Sequence, residues 1–292
     1  MPIINDSKTD PNKILPMKYP WARQHYKDGV ANNWTPEEVS MQKDVEQWKA
    51  PNFLTPQERR LILWNLGFFS TAESLTANNI VLAVYRHVTN PECRQYLLRQ
   101  AFEEAIHTDT FIYCCDTLGL NPDEIYSMYN SVPSIKAKDD FVVDLTKSIF
   151  EPSFHTEGDG NTQKFIHDLI GYYVIMEGIF FYAGFAMMLS LKRQNKMVGI
   201  GEQFEYIMRD ESLHLAFGCD LINTIKAENP QIWTGEFQSE LITLIEKAVK
   251  LEKAYAVDAC PEGILGIRSE QDRKSTRLNS SHIQKSRMPS SA

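Results

Sequence analysis

Six potential metal-binding side chains occur in this sequence as two copies of one pattern. In each copy a lone glutamate precedes a Glu-x-x-His motif by about the same number of residues. The two copies comprise Glu73, Glu104 and His107, and Glu177, Glu211 and His214. Carboxylates and imidazoles are ligands that suit manganese, iron and related transition metals. The doubled pattern therefore predicts a centre that holds two metal ions.

The segments inside each copy indicate how these side chains come together. Thr89-Asn90-Pro91 lies midway within the first copy, and the polar residues 193–196 lie midway within the second. Each lone glutamate and its motif should therefore lie at one level of an antiparallel helix hairpin, about 24 Å from the turn. Residues three apart share a helix face, so each motif can bind one ion. Two packed hairpins would place all six side chains in one cavity.

Helix signals cover most of the chain, and no run of alternating β-branched residues competes with them. Thr55, Pro56 and Glu58 form an N-terminal capping pattern. The predicted long helices span about residues 55–87, 91–118, 162–193, 198–226 and 234–259. The predicted fold class is all-α: a four-helix-bundle core with additional helices, and a long crossover (120–161) between the two hairpins. We divide the chain into an N-terminal extended segment (1–54), a dimetal helical domain (55–268) and a tail (269–292).

Composition narrows the possible classes of protein. With 292 residues and 43% hydrophobic content, the chain can bury a full core. A net charge of −8 without a basic stripe argues against binding nucleic acid. Five cysteines without a C-x-x-C pair, and a polar N-terminus without a secretion signal, predict a cytoplasmic protein with reduced thiols.

One segment, GYYVIMEGIFFYAGFAMMLSL at residues 171–191, is long and apolar enough to span a bilayer. Glu177 lies inside it, and an ionisable side chain there needs a partner. A metal-binding bundle interior supplies that partner. We therefore favour a buried core helix over a membrane span.

The individual residues carry less information than the pattern. A Glu-x-x-His match arises easily by chance, and an isolated histidine is more often a hydrogen-bonded core residue than a ligand. Among the seven histidines, however, His107 and His214 alone have a glutamate three residues upstream. Glu103, which directly precedes Glu104, is expected to be a surface charge.

A lone glutamate on two helices and Glu-x-x-His on two others is the arrangement of ferritin-like dimetal carboxylate proteins. The strings GFFSTAESLTANNIVL, RQAFEEAIHTDTF, GYYVIMEGIFFYAGF and GEQFEYIMRDESLHL closely resemble the small, radical-generating subunit of class I ribonucleotide reductase. The resemblance extends from about Tyr19 to Arg268 and implies that the same six side chains bind the metals. It also implies a homodimer and a larger catalytic subunit that reduces the nucleotide. No phosphate-binding glycine loop is found in this sequence.

The sequence departs from the family pattern at two positions. Phe111 stands one helical turn after His107, where the family usually has a radical-bearing tyrosine, and Glu73 stands where most members have aspartate. Both departures match the subclass called Ic, in which a manganese–iron centre oxidised by O2 holds the oxidising equivalent itself. The alternative is a di-iron protein without a radical store, in which Phe111 only packs in the core.

The resemblance implies electron-transfer roles for three more residues. Trp34 matches a tryptophan that relays charge between the metals and the partner surface, and Tyr206 matches a residue that brings in an electron during activation. Asp210 matches the acid that hydrogen-bonds a ligating histidine. By resemblance that histidine is His107, whereas the position of Asp210 in the sequence is equally compatible with His214. The ordinary alternatives are a buried tryptophan, a core tyrosine and a helix charge.

Residues 269–292 are rich in serine and contain little that can pack, which predicts disorder. They do not resemble the family, whose members continue with further helices and a tail tyrosine that docks on the large subunit. We therefore interpret this end as truncated or non-native and expect metal assembly with little reductase turnover. The competing functions are a metal-dependent oxidase with a bound lipid, an iron-storage protein and a purely structural bundle.

Overall fold

A computed structural model of the protein describes residues 2–6 and 14–261, and its secondary structure there is almost entirely helical. In this part of the chain there is no β-strand, only an isolated bridge between Ile4 and Val88. The prediction of an all-α fold is confirmed. The twelve α-helices of the described residues are α1 (Pro20–Ala31), α2 (Gln42–Lys49), α3 (Pro56–Asn79), α4 (Tyr85–His87), α5 (Pro91–Leu118), α6 (Pro122–Ile125), α7 (Met128–Ser131), α8 (Pro133–Thr146), α9 (Asp159–Leu169), α10 (Tyr182–Arg193), α11 (Val198–Glu228) and α12 (Gly235–Ala259).

Two of the four core helices are interrupted by π-helical segments. The segment Ile80–Val84 joins α3 to α4, and the segment Ile170–Phe180 lies between α9 and α10. The first of these composite helices packs on α5, the second packs on α11, and α5 contacts α11. The core is thus two hairpins, as the sequence predicts. The crossover between them contains α6, α7, α8 and a 3-10 turn at Lys147–Phe150.

The first hairpin is delimited by local signals. The Thr55 hydroxyl accepts from the Glu58 N–H at 3.2 Å, and the Glu58 carboxylate accepts from the Thr55 N–H at 2.9 Å, so the capping box forms. Asn90 Oδ1 accepts from the Cys93 N–H at 2.9 Å and starts α5. Gly119 ends α5 with φ of 66°, a left-handed conformation that favours glycine.

The N-terminal region is not the extended segment expected for residues 1–54, because it contains α1, α2 and a 3-10 turn at Pro36–Glu38. α1 begins at a proline but has no side-chain cap, so it lacks the strongest local start signal. Its stability comes from packing instead: α1 lies against both α5 and α11. Trp21, for example, contacts Phe217 with ring centroids 5.8 Å apart.

The π-helical segment Ile170–Phe180 carries Glu177 and is tied to the rest of the bundle by a buried lysine. Within the segment's C-terminal end, the Phe181 N–H donates to the Met176 carbonyl at 3.1 Å, five residues back. Lys138 of α8 donates to the Phe180 carbonyl at 2.9 Å and lies 2.7 Å from Glu252 of α12. The backbone around Glu177 is therefore held by two further helices.

The helix Asp159–Arg193 is, in the described part of the chain, the one helix long and apolar enough to cross a membrane. In its most apolar stretch, 78% of the residues are buried within the protein. Such burial is typical of a core helix in a soluble protein. It agrees with the interpretation favoured from the sequence.

Candidate metal centre

The six predicted side chains meet in the interior of the bundle, and all six are completely buried. They form two overlapping groups whose potential ligand atoms lie within 4.8 Å of one another. One group is Glu73, Glu104, His107 and Glu211, and the other is Glu104, Glu177, Glu211 and His214. Glu104 and Glu211 belong to both groups. The cluster fits a dimetal site.

The two histidines face the cluster in the same way. His107 Nδ1 lies 3.4 Å from Glu73 Oε2 and 3.2 Å from Glu211 Oε1. His214 Nδ1 lies 3.2 Å from Glu104 Oε1. Each imidazole thus directs Nδ1 toward a motif glutamate of the opposite hairpin. The predicted convergence of a lone glutamate with its motif at one level of the bundle is seen in the contact between His107 and Glu73.

The hydrogen bonding of these residues shows whether cations fit here. Both carboxylate oxygens of Glu73, Glu104 and Glu211 lack hydrogen-bond partners, as do Oε2 of Glu177 and Nδ1 of both histidines. Uncompensated buried charges are strongly destabilising, by several kcal/mol per ion. Cations bound here would compensate these buried charges, and the oxygen and imidazole donors suit manganese and iron. The residues present therefore fit a two-metal cofactor.

Electrostatics in the cluster favour retention of protons. Burial raises the pKa of Glu73 and of Glu177 well above the ordinary value, and the charge of Glu211 raises the pKa of Glu177 further. Burial alone would lower the pKa of His107, but the neighbouring charge of Glu73 raises it well above its usual range. Glu104 differs, because its close ionic contacts with His107 and His214 outweigh burial and lower its pKa to about 2. Metal binding, which needs neutral imidazole, must displace protons here.

The outer nitrogen of His107 contacts Asp210, which settles the pairing that the sequence left open. His107 Nε2 lies 3.3 Å from Asp210 Oδ2, and the same oxygen accepts from Trp34 Nε1 at 2.7 Å. The Trp34 ring, which is buried, lies 5.2 Å from the Tyr206 ring between centroids. The three residues expected to transfer electrons are therefore contiguous and adjoin the cluster through His107.

Phe111 lies in apolar surroundings one helical turn from His107. Its buried ring stacks on Phe69 with centroids 5.7 Å apart and meets Phe204 edge-on at 5.8 Å. Phe69 in turn packs on Phe181 and Phe185. The position after the first motif is thus filled by a hydrocarbon side chain within an aromatic group.

Glu103 is not the surface charge expected from the sequence, and this expectation is wrong. Its side chain is fully buried, Oε2 lies 2.9 Å from His214 Nε2, and Oε1 accepts from Arg99 Nε at 2.9 Å. The physical reason is that this face of α5 is covered by α1 and α11 rather than by water. A sequence signal was present, because an acidic residue directly precedes the glutamate in both motifs: Glu103 before Glu104, and Asp210 before Glu211.

Gln100 and Tyr173 are two further residues of the site that the sequence did not single out. Gln100 Nε2 donates to Glu177 Oε1 at 3.3 Å, and the Tyr173 hydroxyl donates to Gln100 Oε1 at 2.8 Å. These two hydrogen bonds fix one oxygen of Glu177 and leave the other facing the cluster. Gln100 lies one turn before Glu104 on α5, which is the only signal that could have indicated it.

The fold and the cluster together define an all-α protein of the dimetal carboxylate class. Residues 11–275 match the family profile described as ribonucleotide reductase, small chain. Over 296 aligned residues the chain is 55% identical to the ribonucleoside-diphosphate reductase subunit beta of Chlamydia pneumoniae, covering 98% of this chain and 85% of that protein. The chain therefore belongs to the family of ribonucleotide reductase small chains.

Solved structures agree with this assignment. The ribonucleotide reductase R2 subunit from Clostridium botulinum is similar with a TM-score of 0.83 and 30% identity, covering 92% of this chain and 82% of that one. An R2-like ligand-binding oxidase with an Mn/Fe cofactor has a TM-score of 0.72 at 17% identity, covering 96% and 97%, and this likeness shows the fold alone. The function predicted from the sequence, small subunit of the oxidoreductase ribonucleoside-diphosphate reductase acting with a large subunit, is confirmed.

Proposed function

We propose that this chain is a small subunit of the Ic type, in which a manganese–iron centre keeps the oxidising equivalent that other small subunits place on a tyrosine. The observation that carries the proposal is Phe111. Its ring occupies the position one turn after His107 and packs among phenylalanines, where no phenol is available to lose a hydrogen atom. Because phenylalanine stands there, we propose that the metal centre would hold the equivalent.

In this proposal the six clustered side chains would hold the two metals, and Glu104 and Glu211 belong to both groups of potential ligands. When bound, manganese and iron would supply the reaction with O2 and hold the resulting oxidising equivalent. The protein keeps the site dry, since all six ligands and the adjoining Phe111 are buried. The hydrogen bond from Gln100 orients Glu177, and Asp210 orients His107.

Asp210, Trp34 and Tyr206 are proposed to carry electrons between the metal centre and the protein surface. The support is their continuity, from the imidazole of His107 through the Asp210 carboxylate to the indole of Trp34 and the ring of Tyr206. The hydrogen bond to His107 also outweighs burial and lowers the pKa of Asp210, which keeps it ionised as an acceptor for the Trp34 N–H. The equivalent would pass along this route to the large subunit.

A homodimer in the cytoplasm is the proposed form of the protein. Leu98, Phe102 and Ile112 lie at helical spacing on α5 and expose 44–59% of their surface, and Val81 and Leu82 are similarly exposed on the first hairpin. An exposed apolar patch of this kind is typical of a protein interface. A second copy of the chain would cover it, and an apparent mass of one chain in light scattering would contradict this.

Metal analysis together with electron paramagnetic resonance after exposure to O2 tests the Ic proposal. We expect near-equal manganese and iron and no tyrosyl signal from protein loaded with both metals. Iron alone would overturn the manganese–iron assignment and leave a di-iron small chain. A light-scattering mass far above a dimer would favour iron storage, and a lipid extracted from the protein and seen by mass spectrometry would favour the ligand-binding oxidase.

A further inference from the structure

Glu103 is a buried carboxylate next to the cluster that is not one of the six proposed ligands. It lies between His214 Nε2 at 2.9 Å and Arg99 Nε at 2.9 Å. The other ring nitrogen of His214, Nδ1, points toward Glu104 Oε1 at 3.2 Å. The imidazole is therefore held between an acid outside the cluster and an acid within it. This contact fixes which nitrogen faces a metal ion.

The same arrangement occurs on the other side of the cluster, with Asp210 in the place of Glu103. Asp210 lies 3.3 Å from His107 Nε2 and accepts from the Arg209 guanidinium at 3.2 Å. In both cases an acid on one motif helix contacts the histidine of the other motif helix. Each metal subsite thus has one histidine, one acid behind it, and one arginine behind the acid.

The end of α1 anchors both arginines through consecutive residues. Arg209 donates to the Asn32 carbonyl at 2.5 Å, and Arg99 donates to the Asn33 side chain at 2.9 Å. Close approach of α1 also covers Glu103: a Cβ at Gly29 would lie 2.7 Å from Glu103 Oε1, so a larger residue would displace the carboxylate. The helix missed by sequence analysis is therefore what keeps this acid buried and in place.

The structure assigns Glu103 as a positioning residue for His214, which selectively supports the metal subsite formed by Glu104, Glu177, Glu211 and His214. The inference rests on the proposal that the six clustered residues bind two ions. An acid that accepts the outer N–H of a ligating histidine fixes its tautomer and ring orientation. Loss of such a partner typically weakens metal binding by about 10–100-fold. We expect that loss at one subsite and not at the other.

The test is a titration of the full, metal-depleted chain with manganese(II). Binding is monitored by the electron paramagnetic resonance signal of the free ion and by calorimetry. The wild type should bind two ions per chain. Glu103→Leu should retain one site at wild-type affinity and weaken the other by about 10–100-fold. Glu103→Gln keeps an oxygen acceptor without the charge and should restore most of the affinity. Asp220→Asn is the matched control, since Asp220 is on α11, the helix that carries His214, and lies 2.9 Å from His25 Nε2, in a pair outside the cluster.

Second substitutions identify the weakened site. In the Glu103→Leu background, His214→Ala should cost less affinity than it does in the wild type, because the histidine has already lost its orientation, whereas His107→Ala should weaken the remaining ion by its full wild-type amount. Equal weakening of both sites, or two ions bound by Glu103→Leu at wild-type affinity, would overturn the inference while leaving the proposed function intact. A wild-type chain that binds fewer than two ions would overturn the proposed function, and the inference with it.

Discussion

Replacing Lys138 by methionine should destabilise the fold by about 3–5 kcal/mol, the usual effect of removing one partner of a buried ion pair. Lys138 is completely buried, and its ammonium lies 2.7 Å from Glu252. It also donates to the Phe180 carbonyl at 2.9 Å and lies 3.6 Å above the Phe68 ring. Methionine fills a similar volume but leaves the Glu252 carboxylate without its cation.

Three losses contribute to this magnitude. The Phe180 carbonyl loses a donor, worth about 1–3 kcal/mol when the group is buried. The cation–π contact contributes about 0.5–2 kcal/mol. The largest effect is the loss of the ion pair with Glu252, and because the three share one ammonium they do not add. Replacing both partners, as in Lys138→Met with Glu252→Leu, should therefore recover most of the stability.

Urea unfolding followed by circular dichroism would measure these differences. Lys136→Met is the matched control, because Lys136 is on the same helix and pairs with Asp140 at 2.7 Å, but both side chains are about half exposed. Lys136→Met should lower the free energy of unfolding by less than about 1 kcal/mol. A Lys138→Met protein that unfolds like this control, or a double variant no more stable than the single one, would refute the reasoning. Since Lys138 holds the segment carrying Glu177, manganese affinity should also fall in the single variant.

Two further predictions concern pH. Burial raises the pKa of Asp139 from 3.8 to about 7, so the folded state holds this proton more tightly than the unfolded state. The stability that this proton contributes is present below the unfolded pKa and is lost as the pH rises through about 7. As the pH rises from about 4 to 8, the free energy of unfolding of Asp139→Asn, measured with urea, should therefore increase relative to wild type by up to about 4 kcal/mol. At the metal centre, the pKa of His107 is raised, mainly by Glu73, and that of His214 by Tyr96 and Glu211, both against the effect of burial. Manganese binding should therefore release protons and strengthen with rising pH, which calorimetry in buffers of different ionisation enthalpy measures; affinity that is constant between about pH 6 and 8 would contradict this.

Local chemistry explains what could be predicted from the sequence. The capping box at Thr55 and the left-handed end at Gly119 depend on neighbouring residues, so the limits of the long helices were predictable. The six-residue pattern was predictable for the same reason, since equal spacing on either side of the turn in each hairpin brings the side chains to one level. The proposed division at residues 55 and 268, and the interpretation of the tail, concern limits that lie partly outside the described residues.

What could not be predicted depends on packing between distant segments. The choice of His107 rather than His214 as the partner of Asp210 is decided by how α5 faces α11, and nothing along α11 encodes it. The burial of Glu103 requires α1, a helix whose start is marked only by a proline. The π-helical segment around Glu177 shifts the hydrogen-bond register without a distinctive sequence, so helical periodicity alone could not show it.

The two halves of the centre are nearly equivalent, and the difference between them bears on the side from which the oxidising equivalent would leave. Both acids behind the histidines are paired with arginines fixed at the end of α1, but Asp210 also accepts from Trp34, whereas the hydrogen bonds described for Glu103 go to His214 and Arg99. An indole can pass an electron, and a guanidinium cannot. If the proposed function holds, the Asp210 side is the exit for the oxidising equivalent and the Glu103 side is closed to it. In this proposal the duplicated pattern would hold the two metals, and the residue next to each acid would decide which side conducts.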